Sequence, residues 1–160
     1  MAVKDVLLLG DSRLYDLAEP VEKGEVPELL PKIDLMFETV LDFRKKYGVG
    51  RAIAAPQIGL SKRIICLNID QPVEIINPQL SDLSDEMIEL WDDCMSFPNL
   101  LVRVRRHKNL TLSFLDRNWE QHTWNLEDDL AELIQHEYDH LDGILATQRA
   151  INNQSFRWKP

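Results

Sequence analysis

The sequence predicts an α+β fold, with antiparallel or mixed β-sheets packed around a C-terminal helix that carries His-Glu-x-x-His. Three observations predict it. An apolar helical period runs from Leu30 to a stop at Gly48. Strand-like runs then crowd the stretch from 63 to 126, and a second helical period opens near Glu127. Strands gathered between two helices, rather than alternating with them, favour α+β over a parallel α/β sheet.

The elements follow in order. "AEPVEKGEVPELLP" (18–31) reads as a surface segment rich in Pro, Gly and Glu that leads into the first helix. Ile33, Phe37, Val40, Leu41 and Tyr47 recur at helical spacing. "RIICLNI" (63–69) and "VEIINP" (73–78) are short apolar strands broken by Asp70, Gln71 and Pro72. "LLVRVRRH" (100–107), "LTLSFLD" (110–116) and "EQHTWNL" (120–126) read as further strands. Asn125 is the expected N-cap of the last helix, with Glu127, Asp128 and Asp129 in a first turn that favours carboxylates.

The 160 residues fit one domain, 1–160, with a full core. A net charge of −9 argues against nucleic acid or an anionic membrane surface as a partner. No run approaches the roughly 18 to 20 apolar residues of a membrane span. The apolar part of "MAVKDVLLLG" is too short, and too soon followed by charge, for a signal peptide. A cytoplasmic location is therefore expected, with Cys66 and Cys94 as free thiols or metal ligands.

The chemistry is concentrated in "QHEYDH" (135–140). His136 and His140 lie four apart, so their imidazoles share one helix face and can grip one cation. Glu137 lies about 100° round the helix from His136, within reach of a water held by such an ion. Asp139 faces elsewhere and is expected to be solvated. A catalytic site of this kind needs a third protein ligand. The thermolysin-like pattern requires a downstream Glu, and no Glu, His or Cys follows His140. The metzincin pattern requires a histidine where Ala146 stands, and Gly143 is more simply a helix stop. Upstream, Cys66 sits inside an apolar strand, and His107 and His122 read as exposed or satisfied histidines. Cys94, in "WDDCMSFP", is flanked by carboxylates whose charge a bound cation would offset. It is the candidate third ligand.

Three segments in order, "GRAIAAPQ" (50–57), "DDCMS" (92–96) and "QHEYDHL" (135–141), resemble the three signatures of the peptide deformylase family. "SRLYDLAEPV" (12–21) and "IINP" (75–78) are similar to its other landmarks. The resemblance implies a metal-dependent hydrolase that removes the N-formyl group from formyl-methionine peptides and releases formate. One divalent ion, natively Fe(II) with Zn or Ni as alternatives, would be held by Cys94, His136 and His140. Glu137 would act as general base, and the Gln57 amide with the Met95 backbone N–H would stabilise the oxyanion. An N-formylated peptide or amino acid is the implied partner, and no ribosome-binding helix is evident.

Four residues depart from the signatures. Ala52 replaces a glycine, so its methyl is expected to tighten or shift the pocket. Asp92 and Asp93 replace Glu-Gly; Asp tolerates left-handed backbone at the glycine position but adds negative charge beside Cys94. Arg51 replaces an aliphatic residue. It is expected either to pair with Asp92 or Asp93 or to bind a substrate carboxylate in bidentate fashion. With these departures, Arg51, Ala52, Asp92 and Asp93 are the candidate substrate-contacting residues. They also raise an alternative, an amidase acting on other N-formyl or N-acyl amino acids and short peptides, or a paralogue of low activity.

Overall fold

A computed structural model describes residues 5–160; residues 1–4, which begin the N-terminal apolar run, lie outside the described residues. The chain forms two long helices, α1 (Val26–Tyr47) and α2 (Asp128–Leu141). Between them come β1 (Ala52–Ala54), β2 (Ile64–Asn68), β3 (Pro72–Ser81), β4 (Met87–Asp92), β5 (Leu100–His107), β6 (Asn109–Leu115) and β7 (Gln121–Glu127). A last strand, β8 (Phe156–Trp158), follows α2. One sheet runs β1-β2-β3-β6-β7 and the other β4-β5-β8, with every adjacent pair antiparallel.

The larger sheet is buried on both faces near β1 and β2, which explains the continuous apolar runs there. Successive side chains point to opposite faces. Ile53, Ile64, Cys66 and Ile76 pack toward α1, in a cluster with Ile33, Met36, Val40 and Phe43. Ala52, Ala54, Ile65, Leu67 and Ile75 pack toward α2, in a cluster with Ala131, Leu133, Ile134 and Leu141. The smaller sheet closes a third cluster, in which Val102 and Val104 meet Cys94, Leu14 and Leu145. Helix α2 therefore lies between the two sheets, and from Ala131 onward its polar residues are nearly all as buried as its apolar ones.

Helix α1 starts four residues before the apolar period does. Pro27 stands in its first turn, where the missing N–H costs nothing, so a Pro-rich stretch is compatible with helix. It stops at Gly48, whose backbone is left-handed (φ 77°). The N-terminus of α2 corrects the expected cap. Asn125 stays in β7, paired with Thr111, and the strand runs on to Glu127 before the chain turns at Asp128 (φ 52°). The β6–β7 ladder keeps hydrogen-bonding to that point, and so holds Asn125 away from the helix. At the other end, Gly143 (φ 73°) ends the helix, and a Cβ there would sit 2.4 Å from the Tyr15 carbonyl oxygen. Arg63 adds hydrogen bonds to the Leu141 carbonyl and the Asp142 carboxylate.

The two subsidiary landmarks have structural explanations. Asn77, at positive φ (50°), exchanges two 2.8 Å hydrogen bonds with the Val21 backbone. The N-terminal segment donates from Leu7 to the Gln57 carbonyl and from Leu9 to the Ser96 carbonyl. It thereby ties together the two loops that carry Gln57 and Cys94. Among the described residues, no helix is long and apolar enough to cross a membrane.

Candidate active site

Three segments distant in sequence meet at one end of the fold. Helix α2 presents His136 and His140, the loop after β4 presents Cys94, and the turn after β1 presents Gln57. The ligand atoms of Cys94, His136 and His140 all lie within 4.8 Å of one another, and all three residues are buried. Cys94 Sγ is 3.4 Å from His140 Nε2. A tetrahedral metal with ordinary bonds to sulfur and nitrogen would separate those atoms by about 3.5 Å. The donor set therefore fits one small divalent ion.

The hydrogen bonds around the ligands fit the same ion. His136 Nδ1 lies 2.8 Å from Asp92 Oδ2, which leaves Nε2 as its ligating nitrogen. Burial alone would lower the His136 pKa, but the negative Asp92 and Cys94 raise it well above the usual value. The field that favours a proton there favours a metal cation equally. Burial, then the neighbouring His136, push His140 well below the usual range, so it stands neutral and ready to ligate. The buried Glu137 Oε1 and His140 Nδ1 have no hydrogen-bond partner. Unpaired buried polar atoms are expensive, and the Glu137 oxygen beside three convergent ligands marks a place for an ion's water; His140 Nδ1 lies on the ring edge away from its ligating Nε2.

Glu137 is buried, and loss of hydration pushes its carboxyl up to about 7, against the lowering effect of His136. Gln57 is held in one orientation: its Oε1 accepts from Ala54 N–H (2.9 Å). Its Nε2 then donates toward Ser96 Oγ (3.1 Å) and Cys94 Sγ (3.6 Å). Met95 is buried in the turn between Cys94 and Ser96. A cavity of about 450 Å³ opens beside these groups, lined by Gln57, Met95, His136 and Glu137 and also by Arg51, Ala52 and Glu132.

The departing residues are placed as follows. Asp92 is buried, and its carboxylate also meets Arg106 Nη2 at 3.0 Å, so both of its strong contacts are with protein. Burial raises its pKa, but His136 and Arg106 outweigh this and hold it at about 2. Asp93 does not use left-handed backbone; the non-glycine residues that do are Asn77, Asp82, Trp119 and Asp128. Its charge is offset by Lys159 Nζ at 2.9 Å. The Ala52 methyl packs in the core cluster with Leu67 and Leu133. Arg51 pairs with neither Asp92 nor Asp93, both of which are engaged elsewhere. It reaches across the cavity edge to Asp129 (2.5 Å) and Glu132 (3.1 Å) on α2.

Asp139 is a correction. It is buried, not solvated, and binds Arg106 Nη1 (2.7 Å) and Arg149 (3.1 Å). Arg106 thus bridges Asp92 and Asp139 from beneath the metal ligands. The sequence reading missed it, although its signal was present. Val102, Val104 and Arg106 alternate along β5 on one face, so an arginine on a buried face required carboxylate partners. Glu132 was missed too, one turn before His136 on the same face. His107 and His122 are satisfied by the Ser84 carbonyl and Asp116, and the Cys66 thiol is pushed well up by complete burial.

One thiolate and two imidazoles around a point, with a buried carboxylate on the same helix, are the equipment of a metal-dependent hydrolase. The chain matches the family model of polypeptide deformylase over residues 3–156. It is 38% identical over 154 residues to the peptide deformylase of Carboxydothermus hydrogenoformans, covering 95% of this chain and 96% of that one. It is 33% identical over 166 residues to that of Brachyspira hyodysenteriae, covering 98% and 86%. The crystal structure of the Thermotoga maritima peptide deformylase superposes with a TM-score of 0.83 at 32% identity, over 92% of this chain and 97% of that one. A Synechococcus elongatus peptide deformylase in complex with actinonin superposes at 0.85 and 29% identity, over 94% and 80%. The chain belongs to the polypeptide deformylase family.

Proposed function

We propose that residues 1–160 act as one catalytic domain that removes the formyl group from the N-terminal formyl-methionine of nascent peptides, releasing formate and a free amine. The observation that carries this reading is the buried Glu137, with one oxygen unpaired, on the same helix as His136 and His140. A binding module would have no use for a base in that position.

Cys94, His136 and His140 would hold the ion, Fe(II) natively, with Zn or Ni able to replace it. Two imidazoles and a thiolate suit all three. When bound, the ion supplies Lewis-acid polarisation of the formyl carbonyl and of a water. The carboxylate of Glu137 takes a proton from that water as its oxygen adds to the formyl carbon. It then returns the proton to the amide nitrogen as the C–N bond breaks. Its burial, which raises the carboxyl above the ordinary range, makes returning the proton as feasible as taking it. The Gln57 Nε2–H and Met95 backbone N–H would donate to the oxyanion of the tetrahedral intermediate. Gln57 needs little reorganisation for this, because Ala54 already fixes its amide.

Asp92 would act through His136, fixing the ring so that Nε2 faces the ion, rather than by touching substrate. The ionic engagement of Arg51 with two carboxylates disfavours an anionic substrate at that wall. The absence of a long apolar helix among the described residues and the net charge support a cytoplasmic site of action. The test is formate release from formyl-Met peptides by protein loaded with Fe(II) under anaerobic conditions, with acetylated peptides as controls. Formate from formyl but not acetyl peptides is expected. Full metal occupancy without formate would overturn the reading.

A further inference from the structure

The lining of the cavity beside the candidate ligands is not wholly apolar, and its chemistry bears on which substrates the enzyme accepts. Resting on the deformylase reading, we propose that Arg51 and Glu132, braced by Asp129, form the wall that meets the first side chain of the substrate. This wall admits N-formyl peptides whose first residue carries an amide or an ammonium group alongside those that begin with methionine.

Position comes first. Glu132 and His136 are four apart on α2, about 6 Å along the helix axis, on one face. With the formyl group at the ligands, the substrate Cα lies two bonds away, about 2.4 Å. A side chain leaving that Cα along α2 toward its N-terminus meets Glu132 and then Arg51. Arg51 is fixed there: its side chain is 35% exposed, and both terminal nitrogens are held by carboxylates. Glu132 is more deeply set, at 10% exposed, and it lines the cavity with Arg51.

The chemistry follows from what such a wall does to an entering group. A thioether pressed against it strips water from the guanidinium and carboxyl and returns no hydrogen bond, and unmatched desolvation of polar groups is costly. An amide or ammonium replaces the lost bonds. The wall therefore removes the advantage that a purely apolar pocket gives methionine. Phe43, Val49, Ile69 and Leu133 also line the cavity and keep a methionine side chain acceptable. Two carboxylates against one guanidinium leave the group net negative, so a Glu side chain is disfavoured relative to Lys or Gln. Without an ion, burial brings the Glu132 carboxyl to about 7, with the charge of Asp92 adding to it and Arg51 opposing; a divalent cation held one turn away favours its ionised form.

The test uses metal-loaded enzyme and formyl peptides that differ only in the first residue: Met, norleucine, Gln, Lys and Glu, with kcat/KM read from formate release. Gln and Lys are expected within about threefold of Met, and Glu about tenfold below Lys. The double variant R51L/E132L removes both partners together, so that no unpaired charge stays buried. It should shift the Met:Gln ratio toward Met by about tenfold or more. E132Q keeps the shape, removes one negative charge and should abolish the preference for Lys over Glu. Met tenfold or more above both Gln and Lys in the wild type overturns the proposal, as does a Lys:Glu ratio that E132Q leaves unchanged. Failure of the deformylase reading is distinct: no peptide would then yield formate.

Discussion

Asp92 Oδ2 lies 2.8 Å from His136 Nδ1 and 3.0 Å from Arg106 Nη2, so one buried oxygen joins a candidate metal ligand to a buried arginine. Asp139 holds the other side of that arginine. The ligand helix and the strands beneath it are thus coupled through a charged chain rather than through apolar packing alone.

Asp92→Asn keeps the shape and loses the charge. Metal affinity should fall about 10- to 100-fold, as is usual when the carboxylate behind a ligating histidine is removed. Competition with a chelator measures it. An unchanged affinity would show that His136 needs no orienting partner.

Arg106→Leu leaves Asp92 and Asp139 buried without their shared cation. Unfolding in urea should show a loss of about 3–5 kcal/mol. The double variant that also carries Asp92→Asn should recover part of it, because one of the uncompensated charges is gone.

Glu137→Gln should bind metal as the wild type does while kcat falls by at least about 100-fold. Metal analysis and formate assays on one preparation separate the two effects. A variant that retained turnover would remove Glu137 from the proton path.

Glu132 provides a test through pH. Its folded pKa of about 7 exceeds the ordinary 4.5, so between those values the folded state holds a proton that the unfolded state has lost. Stability must therefore fall as pH rises through this window, with the loss complete above it. In metal-free protein, Glu132→Gln lacks that loss. Its stability relative to wild type should rise by about 2 kcal/mol between pH 5 and pH 8, as read by urea unfolding. In Glu132→Gln the Glu137 carboxyl also loses the raising charge of Glu132, which works in the same direction as the expected gain.

Gly143→Ala places a methyl against the Tyr15 carbonyl and forces a left-handed residue to carry a Cβ. A loss of about 1–3 kcal/mol is expected, with a lower Tm. Normal stability would mean that the segment around Tyr15 moves aside without cost.

Local sequence by itself determined the parts that local geometry governs. Helical periodicity made the stacking of His136 and His140 legible, and Gly48 and Gly143 marked helix ends. The runs that became β2, β3, β5, β6 and β7 were visible as strands. The empty tail after His140 also sent the third ligand upstream to Cys94. β1 and β8, three residues each, are too short to show an alternation, and β4 is fully buried only at Asp92; none of the three was read. Asn125 looked like a cap because the β6–β7 ladder that holds it is not a local feature. Only the tertiary structure decided the ion pairs. Arg51 meets Asp129 and Glu132 across 78 and 81 residues, and Arg106 reaches Asp92 and Asp139 across 14 and 33. A charge carries no signature of its partner along the chain, since any carboxylate serves equally until packing excludes water and brings one within 3 Å. The Arg51–Glu132 pairing at the cavity and the Arg106 pairs behind His136 are therefore properties of the fold, whereas the stacking of His136 and His140 on α2 was written in its helical spacing.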